Sequence, residues 1–139
     1  MNNKVRELQK TLEAIVRDDN RYAVGAYIFV RMGLDFTIKR LAAKDKNRKD
    51  RNVSAEELLD GIRAFALESF GPMAMTLFEE WGVHSCADFG NIVFNLVDAQ
   101  ILSTSKGDKI EDFYEGYDFY EAFVKPFLPK KKKAKKWKV

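Results

Sequence analysis

Val53-Ser54-Ala55-Glu56-Glu57-Leu58-Leu59-Asp60-Gly61-Ile62-Arg63-Ala64-Phe65-Ala66 is the stretch from which the fold is read. Ser54 and Glu57 have the S-x-x-E spacing of a capping box. In it the serine oxygen accepts the glutamate N–H, and the glutamate carboxylate accepts the serine N–H. Val53 and Leu58 stand where a hydrophobic staple would close that start. Leu58, Leu59, Ile62, Phe65 and Ala66 then recur at helical spacing, giving a helix to about Phe70 with one apolar face. Such a face needs other elements to cover it.

Those elements are legible on both sides. Gly71-Pro72 interrupts the helix, and Pro72 suits the first turn of another. Residues 73–81 form that helix, with Gly82 as its C-terminal stop. Ser85 and Asp88 mark the next N-terminus. Phe89, Ile92, Val93, Leu96 and Val97 give an apolar helix over about 86–99. Upstream, Val5, Leu8, Leu12, Ile15 and Val16 form one stripe over residues 4–18. Asp18-Asp19-Asn20 would end that helix and cap the following one. Over 21–41 the apolar positions are Ala23, Ala26, Tyr27, Val30, Leu34, Ile38 and Leu41. Gly25 and Gly33 each weaken that helix by about 1 kcal/mol relative to alanine, so they are read as points of close helix contact.

The expected architecture is therefore mainly α: about five helices around one core in residues 1–125. Ile101-Leu102-Ser103 reads as a short strand and Lys106-Gly107-Asp108 as a turn. A short β-hairpin near 101–114 is accordingly an option, which would make the middle helix pair winged-helix-like at most. With 46% hydrophobic and 13% aromatic residues among 139, the chain can bury an ordinary core. No apolar run approaches the roughly 18 residues needed to cross a bilayer. Residues 1–13 are polar and amphipathic, unlike a signal peptide. Cys86 is the only cysteine, which excludes an internal disulfide and fits a reducing cytoplasm.

Charge is distributed unevenly. Lys130, Lys131, Lys132, Lys133, Lys135, Lys136 and Lys138 occupy seven of the last ten positions. The chain carries +3, so without those seven lysines residues 1–129 carry −4. An acidic body thus precedes a polylysine tail, 126–139, bounded by Pro126 and Pro129. Such a tail binds phosphates by electrostatics and carries little sequence information. RNA, DNA or a ribosome are the expected partners. An anionic membrane surface, with Trp137 at the headgroups, comes after them. A purely solubilising tail, or one folded back on the six acids of residues 108–121, are the other readings. The linker 43–52 holds five cations and two acids; it reads as a solvated loop or a second polyanion contact.

Phe70-Gly71-Pro72-Met73-Ala74, Glu80-Trp81-Gly82 and the run from Asp88-Phe89-Gly90-Asn91-Ile92-Val93 to Phe94-Asn95-Leu96-Val97 form a recognisable set. Glu57-Leu58-Leu59-Asp60-Gly61-Ile62-Arg63 precedes it and Tyr117-Asp118-Phe119 follows. Together, over about residues 21–123, they resemble a small uncharacterised protein family of planctomycete and verrucomicrobial bacteria. The resemblance implies a bacterial cytosolic protein and carries no functional residues.

Other chemistry finds little support in the sequence. Residues 73–81, the Gly82 turn and residues 86–99 could form a helix-turn-helix, with Asn91, Asn95 and Gln100 reading base edges. However, no Lys or Arg lies between Gly82 and Ser105, so the phosphate contacts such a helix needs are missing. His84 and Cys86 are close in sequence but match no catalytic signature. Two such residues are too few for structural zinc. Glu79, Glu80, Asp88, Asp98, Asp108, Asp112 and Asp118 offer carboxylates without a spacing that singles out a pair. There is no phosphate-loop or dinucleotide-binding glycine pattern, so no cofactor is expected. The favoured reading is a non-enzymatic helical adaptor whose body binds a protein partner and whose tail contacts a polyanion. A DNA-binding regulator using helix 86–99, and an enzyme of unknown type with a carboxylate site, are its rivals.

Overall fold

The structure, a computed structural model, describes residues 3–130. Its α-helices are α1 (Asn3–Asp18), α2 (Val24–Lys44), α3 (Ala55–Phe70), α4 (Ala74–Trp81), α5 (Cys86–Asp98) and the short α6 (Phe119–Phe123). Single 3-10 turns lie at Gly71–Met73, Ile110–Phe113 and Lys125–Phe127. The five expected helices are all present, and no strand occurs among the described residues.

The capping box is formed as read: Glu57 N–H donates to Ser54 Oγ, and Ser54 N–H to Glu57 Oε1, both at 3.0 Å. Pro72 opens the 3-10 turn that leads into α4. Gly82 ends α4 with φ +83, and a Cβ there would overlap the carbonyl of Arg21. That crowding fixes glycine at the position twice over, by backbone conformation and by space.

Central in the bundle, α2 packs against α1, α3, α4 and α5. Its buried residues are Ala26, Tyr27, Phe29, Val30, Gly33 and Thr37, and they spread over more than one face. The glycines mark close approaches, as expected. A Cβ at Gly25 would lie 2.7 Å from Trp81 Nε1, and one at Gly33 would lie 3.2 Å from Ile62 Cγ1. On α3, Gly61 leaves room for Thr37, whose hydroxyl donates to Gly33 O at 2.7 Å.

The core centres on α4. Phe78 is fully buried, with ring centroids of Phe123, Phe29, Phe89, Phe119 and Trp81 at 5.0, 5.5, 5.5, 5.6 and 6.1 Å. Edge-to-face and tilted geometries predominate, as ring quadrupoles favour. The aromatics of the acidic stretch divide as their burial requires: Phe113, Phe119 and Phe123 enter the core, whereas Tyr114 and Tyr120 stay exposed.

Two local expectations are corrected. First, Asp18-Asp19-Asn20 ends α1 but does not cap α2. The N-cap is Ala23, which has no side-chain cap; its own N–H donates to Trp81 O at 3.1 Å. Asp19 instead pairs with Arg21 at 2.6 Å. Second, residues 101–114 form no hairpin. The chain reverses at Gln100, φ +63, and Ile101 and Leu102 donate their N–H groups to Leu96 O at 2.9 and 3.3 Å. Those donors complete the C-terminus of α5 and are not free to build a ladder. No wing therefore follows α5.

The linker is anchored rather than free. Arg48 donates to both Glu57 oxygens, at 2.7 and 3.1 Å, and to Asn52 O at 2.6 Å. Its guanidinium, with the Ser54 N–H, lowers the Glu57 carboxyl from an ordinary 4.5 to about 2. A carboxyl depressed on folding stabilises the fold at pH above its unfolded value. That contribution is lost as pH falls from about 4.5 through about 2. Arg48→Ala should raise the Glu57 midpoint towards 4.5, read by carboxyl NMR titration. An unchanged midpoint would show that the pair is not formed in solution.

Candidate functional site

Lys130 is exposed and ends the described chain. Lys131, Lys132, Lys133, Lys135, Lys136 and Lys138 lie outside the described residues, so the tail is assessed by its chemistry alone. The described residues that precede it lie beyond α6, where Lys125 pairs with Glu121 at 3.1 Å and Phe127 and Leu128 are exposed.

Three polar residues of α5, Asp88, Asn91 and Asn95, are part-buried and bonded within the protein. Asn91 donates to Tyr22 Oη at 2.9 Å, and Tyr22 donates to Asp88 Oδ1 at 2.5 Å. The other Asp88 oxygen accepts the N–H groups of His84 and Ser85 at 2.8 and 3.1 Å. Asn95 donates to Tyr27 Oη and to Asp19 Oδ2, each at 3.0 Å. This network fastens the start of α2 to α5. Burial, followed by the bond to Asp88, pushes the Tyr22 phenol up to about 12, and burial also raises Tyr27. The hydrogen bond from Arg21 holds Asp19 well below the usual carboxylate range. Of the three amides that would read base edges, Gln100 is exposed beyond the end of α5, whereas Asn91 and Asn95 are engaged with the protein's own tyrosines. Their partners lie nearly seventy residues away, and no local signal in the sequence points to them.

His84 and Cys86 are not brought together. Cys86 is buried, and its thiol contacts Tyr117 O at 3.5 Å. Burial pushes that thiol up to about 11, which leaves it protonated at neutral pH. A Cβ on Gly116 would come within 2.6 Å of Cys86 Cβ, so the segment is closed over the sulfur. His84 lies on the surface.

The suspected carboxylates mostly hold backbone donors. Asp108 accepts from Ser105 N–H at 2.7 Å, Asp112 from Lys109 N–H at 3.3 Å and Asp118 from Glu121 N–H at 3.0 Å. Glu79, Glu80 and Asp98 are exposed. No group of three metal-ligating side chains occurs among the described residues.

Two concavities flank the start of α3. One, of about 910 Å³, runs between α3 and residues 108–117; it carries Glu56, Asp60, Asp108, Glu111, Asp112 and Glu115 against one cation, Arg63. Its Tyr117 donates to Leu59 O at 2.8 Å. The other, of about 470 Å³, lies between α2, the start of α3, α5 and residues 101–113. Its lining combines apolar side chains with charges of both signs. Among the described residues no helix is long and apolar enough to cross a membrane. No protein-family model, curated protein sequence or solved structure matches this chain.

Proposed function

We propose that this chain is a non-enzymatic adaptor of the bacterial cytoplasm. Its helical body engages a protein partner, and its C-terminal lysines hold the assembly to a polyanion: RNA, DNA or the ribosome. The observation that carries the reading is the placement of seven lysines in the last ten residues of a chain whose remainder is net acidic. A lysine that neutralises a phosphate releases condensed counterions, and this entropy supplies most of non-specific affinity. Only Trp137 offers a stacking ring in that segment, so the contact is electrostatic rather than base-reading. An anionic lipid surface would satisfy the same charge and is the weaker option.

Two further observations support the division of labour. The acidic groove along α3 gives the body a face opposite in sign to the tail. The amides of α5 that a DNA-reading helix would present are held by Tyr22 and Tyr27. The test is a series of Lys→Gln substitutions in the tail, taken two at a time. For duplex DNA, each lost phosphate contact should lower the slope of log affinity against log salt by about 0.9. Shuffling the order of the tail residues should leave affinity unchanged. A slope that does not respond to the lysine count would overturn the proposal.

A further inference from the structure

The cleft of about 470 Å³ between α2, α5 and residues 101–113 has a construction that the adaptor reading does not use. Its floor is made by Leu34 and Ile38 of α2, Leu58 of α3, Phe94 of α5, and Ile101 and Leu102. Leu34, Ile38, Phe94, Ile101 and Leu102 are only partly buried, so they leave apolar surface inside a concavity. A concavity of this volume that sets apolar side chains beside polar and charged ones suits a small amphipathic molecule.

The rim supplies those polar groups. Arg31 and Arg51 are exposed, and neither makes an ion pair among the described residues; the same holds for Lys109. Of the three rim acids, Asp108 and Asp112 hold the N–H groups of Ser105 and Lys109, and Asp35 is exposed on α2. Ser54 and Ala55 bring the positive end of the α3 dipole to the same cleft. Across its edge Ser105 Oγ donates to Asn52 Oδ1 at 3.4 Å, joining segment 101–113 to the linker. Two guanidinium groups without an ion pair among the described residues, beside the apolar side chains of the cleft, suit a planar carboxylate attached to a hydrocarbon body, since the guanidinium fork matches carboxylate geometry.

We propose that this cleft binds a small amphipathic carboxylate, its apolar body on Leu34, Ile38 and Phe94 and its carboxylate on Arg31 and Arg51. The site is independent of the lysine tail. The experiment uses octanoate, with octylamine as a probe of equal chain length and opposite charge, against the full-length protein. Octanoate should give saturable NMR shifts at Val93, Leu102 and Ser103, and octylamine none there. Arg31→Gln and Arg51→Gln lie on the surface and should leave the fold intact. Each should weaken octanoate roughly tenfold, the effect of losing one charged hydrogen bond. Leu34→Trp, which fills the floor, should abolish the shifts. Equal binding of octylamine, octanoate shifts indifferent to the arginine variants, or no saturable shift at all would each overturn the proposal.

Discussion

Phe78→Ala is expected to cost about 4 kcal/mol and to lower the thermal midpoint by roughly 10–20 °C. The size follows from where the ring sits. It is wholly inaccessible to solvent and is surrounded by Phe29, Trp81, Phe89, Phe119 and Phe123. Those neighbours come from α2, α4, α5 and α6, so the cavity left by truncation has walls held by four elements and cannot collapse by moving one. Stiff aromatic rings also fill such a gap poorly. Thermal unfolding followed by circular dichroism reads the loss. Phe127→Ala is the matching control: Phe127 is exposed, and its removal should change the midpoint little. A small effect at Phe78 would mean that α4 is not the hub of the core.

Gly61→Ala is the second large effect, and here two physical terms oppose each other. Alanine is the better helix former by about 1 kcal/mol, so propensity alone predicts stabilisation. Space predicts the reverse. A Cβ at Gly61 would overlap Thr37 Oγ1 and lie 2.7 Å from Thr37 Cβ. Thr37 cannot turn away cheaply, because its hydroxyl donates to Gly33 O within α2 and the residue is buried. The helices must separate, and overpacking of this kind costs about 1–3 kcal/mol or more. We expect net destabilisation of about 2 kcal/mol. Thr37→Ala in the same chain should recover part of it, since two of the three close atoms are then gone. A stabilised Gly61→Ala variant would show that α2 and α3 do not pack in this register.

The parts of this structure that were legible in the sequence are those set by neighbours along the chain. The Ser54–Glu57 box, the Pro72 turn and the Gly82 stop depend on groups within four residues of one another, and each formed where it was read. Gly25 and Gly33 were also legible as contacts, because an unfavourable residue inside a helix needs a reason. What depends on partners far along the chain was not legible. Phe29 lies off the apolar stripe of α2, and its burial becomes sensible only when α4 covers a second face. Asp19 stands at a helix break like a cap, yet Asn95 and Arg21 take its carboxylate. Ile101 and Leu102 have the composition of a strand. Their N–H groups go to Leu96 because Gln100 reverses the chain first.

The candidate sites divide in the same way. The lysine tail is visible in the sequence because charge density needs no fold to be read. The amides of α5 carry no local sign of being engaged, because Tyr22 and Tyr27, which hold them, lie far away along the chain. The cleft under residues 101–113 has no sequence signal, since its floor is drawn from α2, α3, α5 and the segment that follows.

The central claim is that the last ten residues hold this protein to a polyanion by charge. Its most direct test compares the full-length protein with one lacking residues 130–139, binding a duplex DNA and a single-stranded RNA at about 50 and 200 mM salt. If six or seven lysines contact phosphates, full-length affinity between those salts should fall about a thousandfold or more for duplex DNA and about several hundredfold for single-stranded RNA. The truncated protein should show no measurable binding at either salt, with its thermal midpoint unchanged. Retained binding by the truncated protein, or full-length binding that ignores salt, would contradict the account.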